Sequence, residues 1–102
     1  MKIKLFLDRI KHPSEIYKES NWIIARDIQT VKSFLRKGIV DILSFGDDCG
    51  TEEETTYDLC LWMKDNKIWP NKDVWIHSLE PAKKYELESF VNQNFLPKSV
   101  DK

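Results

Sequence analysis

The sequence is poor in the residues from which several familiar sites are built. Only three of its 102 residues are glycine, and they form no glycine-rich phosphate loop of the Walker or dinucleotide-binding type. The two cysteines, Cys49 and Cys60, lack CxxC or zinc spacing, so we expect free thiols and a cytoplasmic setting. The apolar runs are all far shorter than a membrane span, and we expect no membrane partner.

An excess of charge of one sign is also missing. The chain has 16 basic and 17 acidic side chains, a formal net charge of −1. This balance gives no basic field for an extended nucleic acid and favours a small phosphorylated ligand or a protein partner. The length suits one domain, which we assign to residues 1–96, with residues 97–102 expected to form a frayed tail.

What is present is an alternation of strand-like and helix-like segments. Short apolar runs typical of buried strands occupy Ile3–Leu7, Trp22–Ala25, Ile39–Phe45 and Asp73–Ile76. Helical spacing of apolar residues predicts helices that begin near Ile28, Thr56 and Pro81. The polar connection 9–21 has room for one helical turn around residues 14–18. This order predicts an α/β fold of about four mostly parallel strands flanked by three helices.

Capping signals support the helix ends. Asp27 is a plausible N-cap, and Gly38 is a stop signal after the first helix. Thr55 followed by Asp58 fits a capping box. Pro81 suits the first turn of the last helix.

Polar side chains follow three of the predicted strands. Asp8 ends the first strand, Asp47 and Asp48 follow the third, and His77 and Ser78 end the fourth. Ligands of parallel α/β sheets bind outside the carboxyl ends of the strands. If these strands are neighbours, the five side chains converge on one edge of the sheet.

This combination suits phosphate chemistry. Asp8 and Asp48 could hold Mg²⁺ through carboxylate oxygens, and His77 could transfer a proton near neutral pH. Ser78 could donate a hydrogen bond to a phosphate oxygen. The structural alternatives stay open, because Asp47 and Asp48 also suit an ordinary turn and His77 could be a buried structural histidine.

Four segments carry a resemblance to a known family. They are Leu7-Asp8-Arg9-Ile10-Lys11, the segment Ser44-Phe45-Gly46-Asp47-Asp48-Cys49-Gly50, Thr56-Tyr57-Asp58 with Trp62, and His77-Ser78-Leu79-Glu80-Pro81. In order and spacing they resemble the L-D-D-x-R-x-P, S-L-D-H-D-L-G, G-x-D and H-S-x-N-P motifs of cyclic-phosphate-processing receiver-like domains. The likeness covers roughly residues 3–91.

The resemblance implies a small receiver-like, flavodoxin-like layer fold and the hydrolysis or other processing of cyclic phosphates. Together with the strand-end argument it gives two sets of candidate residues. The catalytic candidates are His77, Asp48 and Asp8. The ligand-binding candidates are Ser78, Lys11, Arg9, Asp47 and Asp58.

The chain also departs from the family motifs. Arg9 stands where the family has a second Asp, Gly46 replaces the first acid of the third-strand motif, and Asp47 replaces its His. Two functional hypotheses therefore remain open. One is a phosphoesterase that opens a cyclic phosphate, with Mg²⁺ as the candidate cofactor. The other is a catalytically degenerate module that docks a nucleotide or a protein, for example as a phage or mobile-element inhibitor of a host protein.

Overall fold

The computed structural model describes residues 2–18, 21–46, 54–78 and 80–95. The strands are β1 (Ile3–Leu7), β2 (Trp22–Ala25), β3 (Val40–Phe45) and β4 (Asp73–Ile76). The helices are α1 (Ile28–Arg36), α2 (Thr56–Asn66) and α3 (Pro81–Asn94), and a 3₁₀ turn covers Pro13–Glu15. The predicted order of elements is confirmed, with most boundaries within one residue. The predicted C-terminal tail, residues 97–102, lies outside the described residues.

The four strands form one parallel sheet in the order β2-β1-β3-β4. Leu7 is level with Ala25 on one side and Phe45 on the other, and Phe45 is level with Ile76. All four strands therefore end along the same edge of the sheet. This is a small receiver-like α/β fold, as predicted.

The three helices pack on one face of the sheet. Alternate strand residues such as Leu5, Leu7, Leu43 and Phe45 share a single buried cluster with residues of α1, α2 and α3. From β2 to β3 and from β3 to β4 the chain advances in the same direction across the sheet, passing over β1 on the way. Because parallel crossovers are right-handed, the connecting helices α1 and α2 lie on the same side of the sheet. The predicted sheet flanked by three helices is confirmed, with all three helices on this face.

The opposite face is covered by the connection between β1 and β2. Tyr17 from this connection packs over Phe6, Trp22 and Trp75, and these four residues form what we call the aromatic cluster. The Tyr17 and Trp22 rings are stacked, with centroids 5.3 Å apart. The Lys4 ammonium lies 5.1 Å from the Trp22 ring, a cation–π contact at the far end of the cluster.

The capping signals act as predicted. The Asp27 side chain accepts a hydrogen bond from the Thr30 amide, and Gly38 adopts a positive φ of 72° after α1. Thr55 and Asp58 form both hydrogen bonds of a capping box at α2. Within α2, burial raises the pKa of the Cys60 thiol to about 12, so this cysteine is a core residue. No helix in the described part of the chain is long and apolar enough to span a bilayer.

Candidate functional site

Asp8 and His77 meet at the carboxyl edge of the sheet. Each follows a strand by one residue, and the His77 amide continues the ladder by donating to the Phe45 carbonyl over 2.9 Å. His77 Nε2 lies 2.9 Å from Asp8 Oδ2, although the two residues are 69 positions apart in the chain. The expected convergence of these two strand ends is therefore seen.

Gly46 occupies the row between Asp8 and His77. It follows Phe45, which is level with both Leu7 and Ile76, so the next position of β3 falls between the two polar residues. Side chains alternate along a strand, and one at position 46 would project on the same face as Asp8 and His77. Gly46 therefore places no side chain between the carboxylate and the imidazole, which make direct contact.

The two oxygens of Asp8 have different partners. Oδ1 accepts hydrogen bonds from the amides of Ile10 and Lys11, at 2.9 and 2.8 Å, and closes the turn that leaves β1. Burial by itself raises the pKa of this carboxyl, but those two amides, together with the hydrogen bond and electrostatic attraction from His77, lower it below its ordinary value. Asp8 is therefore ionised at neutral pH. Its structural role and its place in the site coexist.

The other ring nitrogen of His77 faces the sheet interior. His77 Nδ1 is 2.7 Å from Ser44 Oγ, and Ser44 Oγ is 2.8 Å from the Tyr17 hydroxyl. The His77 side chain is 2% exposed and the Asp8 side chain 16%. Asp8 is thus the member of the pair that solvent reaches, and both imidazole nitrogens have internal partners.

Phe6 forms the floor beneath the imidazole. Its ring is stacked on that of His77, with centroids 4.6 Å apart and planes within 7°. The Tyr17 ring meets the same imidazole edge-on, at 6.4 Å and 87°. The aromatic cluster on the second face therefore supports the site directly.

Three basic residues lie in or beside the turn after β1. Arg26 Nη1 donates to the backbone carbonyls of Asp8 and Lys11, at 3.0 and 2.7 Å. Arg26 and Arg9 are exposed, and Lys11 is half-buried. Arg26 is therefore held at this turn by its hydrogen bonds, and Arg9 and Lys11 belong to the turn by sequence.

Two other predicted ligand residues have structural partners. Ser78 Oγ accepts a hydrogen bond from the Glu80 amide over 3.1 Å, in the turn that leads into α3. Asp58 Oδ2 accepts from the Thr55 amide in the capping box. Asp47 and Asp48, the remaining candidates, lie outside the described residues. The ligand roles of all four stay predictions.

A metal site is not assembled by the described residues alone. They contain no group of three or more histidine, cysteine, aspartate or glutamate side chains placed to hold an ion. Asp8 supplies one solvent-accessible carboxylate, whose Oδ2 accepts a hydrogen bond from His77. The donor set fits Mg²⁺ only if further oxygen ligands join it, and Asp48 is the one predicted.

Four residues of the site were missed by sequence reasoning. Phe6 and Ser44 lie inside apolar strands, where they resemble core residues, and Arg26 follows a strand without any motif. Tyr17 lies in a polar connection with no periodic signal. In the sheet, Phe6 is level with Ser44, and Ser44 is level with Trp75. This register would have placed Phe6 and Ser44 beside the site, but it can be assigned only once the strand order is known.

Fold and site define a small receiver-like α/β domain with a hydrogen-bonded carboxylate–imidazole pair at the carboxyl edge of its sheet. A family model described as the cyclic-phosphate processing receiver domain matches residues 3–93. The chain belongs to this family. No curated protein and no solved structure matches the chain.

Proposed function

We propose that the chain binds a cyclic-phosphate ligand of the nucleotide type at the carboxyl edge of its sheet, where Asp8 is the accessible polar group. The observation that carries this proposal is the Asp8–His77 hydrogen bond, which unites the ends of β1 and β4 where α/β sheets bind ligands. The family supplies the class of ligand.

Charge decides how a phosphate would be held. An ionised Asp8 repels an anion, so binding needs positive charge beside it. Arg26 uses Nη1 for two backbone carbonyls, and a guanidinium has further N–H donors on its other nitrogens. Lys11 and Arg9 add two cations to the same turn. Mg²⁺ held by Asp8 with Asp48 would offset the same repulsion.

Binding is better supported than proton transfer by His77. Both imidazole nitrogens have internal partners, and the side chain is almost fully buried. A proton donor or acceptor must reach the reacting group within hydrogen-bond distance or through one water. Asp8 reaches solvent, but its lowered pKa makes it a weak base. The pair therefore acts as a positioned carboxylate with a rigid support.

Hydrolysis is the second candidate, favoured by the family and by the carboxylate–imidazole pair. Water would add to phosphorus, one phosphorus–oxygen bond of the ring would break, and the leaving oxygen would take up a proton. The product is a phosphomonoester. In this version Asp8 orients the attacking water while His77 keeps the carboxylate in place.

Calorimetric titration with 2′,3′-cyclic nucleotides, with Mg²⁺ and with chelator, tests the proposal. We expect wild type to bind most tightly with Mg²⁺, Asp8→Asn to lose the gain in affinity that Mg²⁺ gives, and Asp65→Asn, a matched change at an exposed position of α2, to bind as wild type does. Absence of binding to every cyclic nucleotide in both conditions would overturn the proposal and leave the protein-docking hypothesis.

Phosphorus NMR on the same mixtures separates binding from turnover. Appearance of a phosphomonoester in wild type, and its loss in His77→Ala, would establish hydrolysis in place of simple binding. His77→Gln keeps a hydrogen-bond donor near Asp8 and should retain part of the activity, and circular dichroism confirms that both variants fold. An unchanged phosphorus signal in wild type is the result we expect.

A further inference from the structure

A continuous series of hydrogen bonds crosses the face of the sheet opposite the helices. It starts at the Tyr17 hydroxyl, passes through Ser44 Oγ and both nitrogens of His77, and ends on Asp8, with successive distances of 2.8, 2.7 and 2.9 Å. Tyr17 and Asp8 belong to the same β1–β2 connection. The series thus begins and ends in the β1–β2 connection. Its middle members are Ser44 of β3 and His77, which directly follows β4.

The direction of each bond follows from the acceptor at its end. Asp8 is ionised and can only accept, so His77 Nε2 carries the proton between them. In a neutral ring Nδ1 accepts from the Ser44 hydroxyl, which then accepts from the Tyr17 hydroxyl. In a protonated ring Nδ1 donates to Ser44 Oγ, and Ser44 can donate to the Tyr17 oxygen. Every link therefore depends on the link before it.

Packing leaves this ring one freedom that only the hydrogen bonds remove. Phe6 lies flat on the imidazole and holds its plane. Flat packing still allows a ring flip, a half-turn about the Cβ–Cγ bond that keeps the ring in the same plane but exchanges its nitrogens with carbons. Partners on both nitrogens make the turned-over ring costly, because Ser44 and Asp8 would each lose a buried partner.

We propose that Tyr17 and Ser44 are positioning residues that hold the orientation of the His77 ring, and through it the carboxylate of Asp8. Ser44 is fully buried and acts on a ligand only through His77, and Tyr17 acts through Ser44. The effect on ligand affinity rests on the proposed function. The effect on His77 itself does not, because it concerns the unliganded protein.

Nitrogen-15 NMR of the His77 ring tests the first part. We expect one set of ring signals in wild type. Ser44→Ala removes the partner of Nδ1 and should shift these signals, and Tyr17→Phe should shift them less in the same direction. Ser33→Ala and Tyr85→Phe remove exposed hydroxyls elsewhere and should leave the signals unchanged. Wild-type ring signals in both Ser44→Ala and Tyr17→Phe would overturn the proposal.

Ligand affinity tests the second part with a double-mutant cycle. Tyr17→Phe and Ser44→Ala should each weaken binding of a 2′,3′-cyclic nucleotide by about three- to tenfold, the size of one lost hydrogen bond. The double variant should match Ser44→Ala alone, since Tyr17 acts through Ser44. Additive losses would show that the two residues act independently and would overturn the linkage.

The two proposals can fail separately. If wild type binds no cyclic nucleotide while the ring signals respond to Ser44→Ala, the proposed function fails and the positioning role stands. If wild type binds and the ring signals ignore both substitutions, the positioning role fails and the function stands. Tyr17→Phe deletes a single hydroxyl at a half-buried position, so it gives a readable result even if Ser44→Ala does not fold.

Discussion

The ring of Phe6 lies parallel to the ring of His77, 4.6 Å away, and is itself fully buried. This contact joins the second face of the sheet to the carboxyl edge. Phe6 belongs to the aromatic cluster, and His77 bonds to Asp8. Packing on that face and geometry in the site are consequently parts of one arrangement.

Replacement of Phe6 by leucine should affect both. We expect Phe6→Leu to lower the free energy of unfolding by about 1–3 kcal/mol, through lost ring contacts and altered packing. Urea denaturation measures this. Phe34→Leu in α1 is the matched control, because Phe34 packs against the helical core instead. Both variants should lose stability, but only Phe6→Leu should shift the nitrogen signals of His77, and equal shifts would contradict this prediction.

Asp8 should make stability depend on acid pH. Its pKa is lowered in the folded state below the ordinary 3.8, so its contribution is fully present above that value. The contribution disappears as pH falls through the lower folded pKa. We expect Asp8→Asn to be less stable than wild type at neutral pH and the difference to shrink below about pH 4.

Urea denaturation of both proteins at a series of pH values measures the difference. Asp65→Asn, at an exposed position of α2, is the control and should follow the wild-type curve. A stability gap between wild type and Asp8→Asn that stays constant down to pH 2.5 or so would contradict the linkage.

Arg26 separates structural from ligand-binding roles of the site's cations. Its Nη1 donates to two carbonyls of the turn, and the planar guanidinium has further N–H donors on other nitrogens that lysine lacks. We expect Arg26→Lys and Arg26→Ala both to weaken cyclic-nucleotide binding about tenfold or more. Lys18→Ala is the control, because Lys18 is an exposed basic residue in the β1–β2 connection. Full affinity in Arg26→Lys would show that charge alone suffices.

The capping box tests the ligand role predicted for Asp58. Thr55→Ala and Asp58→Ala each remove one half of it, and each should lower the free energy of unfolding by about 1 kcal/mol. We expect equal ligand affinities for the two variants, because the carboxylate of Asp58 is engaged by Thr55. A loss of affinity confined to Asp58→Ala would assign that carboxylate to the ligand.

The elements that could be predicted from the sequence are those with local signals. Asp27, Gly38 and the Thr55–Asp58 pair marked helix ends through hydrogen bonds within three or four residues. Asp8 and His77 could be found because polar residues directly after buried strands fall at a common edge. Each of these inferences uses short-range chemistry plus one rule about parallel sheets.

The rest of the site depends on contacts without a local signal. Phe6 lies between the apolar residues Leu5 and Leu7, so its immediate neighbours did not show that it faces away from the helices. Ser44 is a buried serine in β3, 33 positions before its partner His77 in the sequence. Tyr17 reaches it from a polar connection. Such partners become visible only once strand order and register are known.

The position of β4 at the margin of the sheet has a consequence for hydrogen exchange. β4 pairs with β3 alone among the described strands, yet it leads into His77 and carries Trp75 of the aromatic cluster. Opening of this one strand dismantles the site while β1 and β2 stay paired. The His77 amide, bonded to Phe45, therefore reports site assembly, and a ligand that needs the site should slow its exchange more than that of amides in β2.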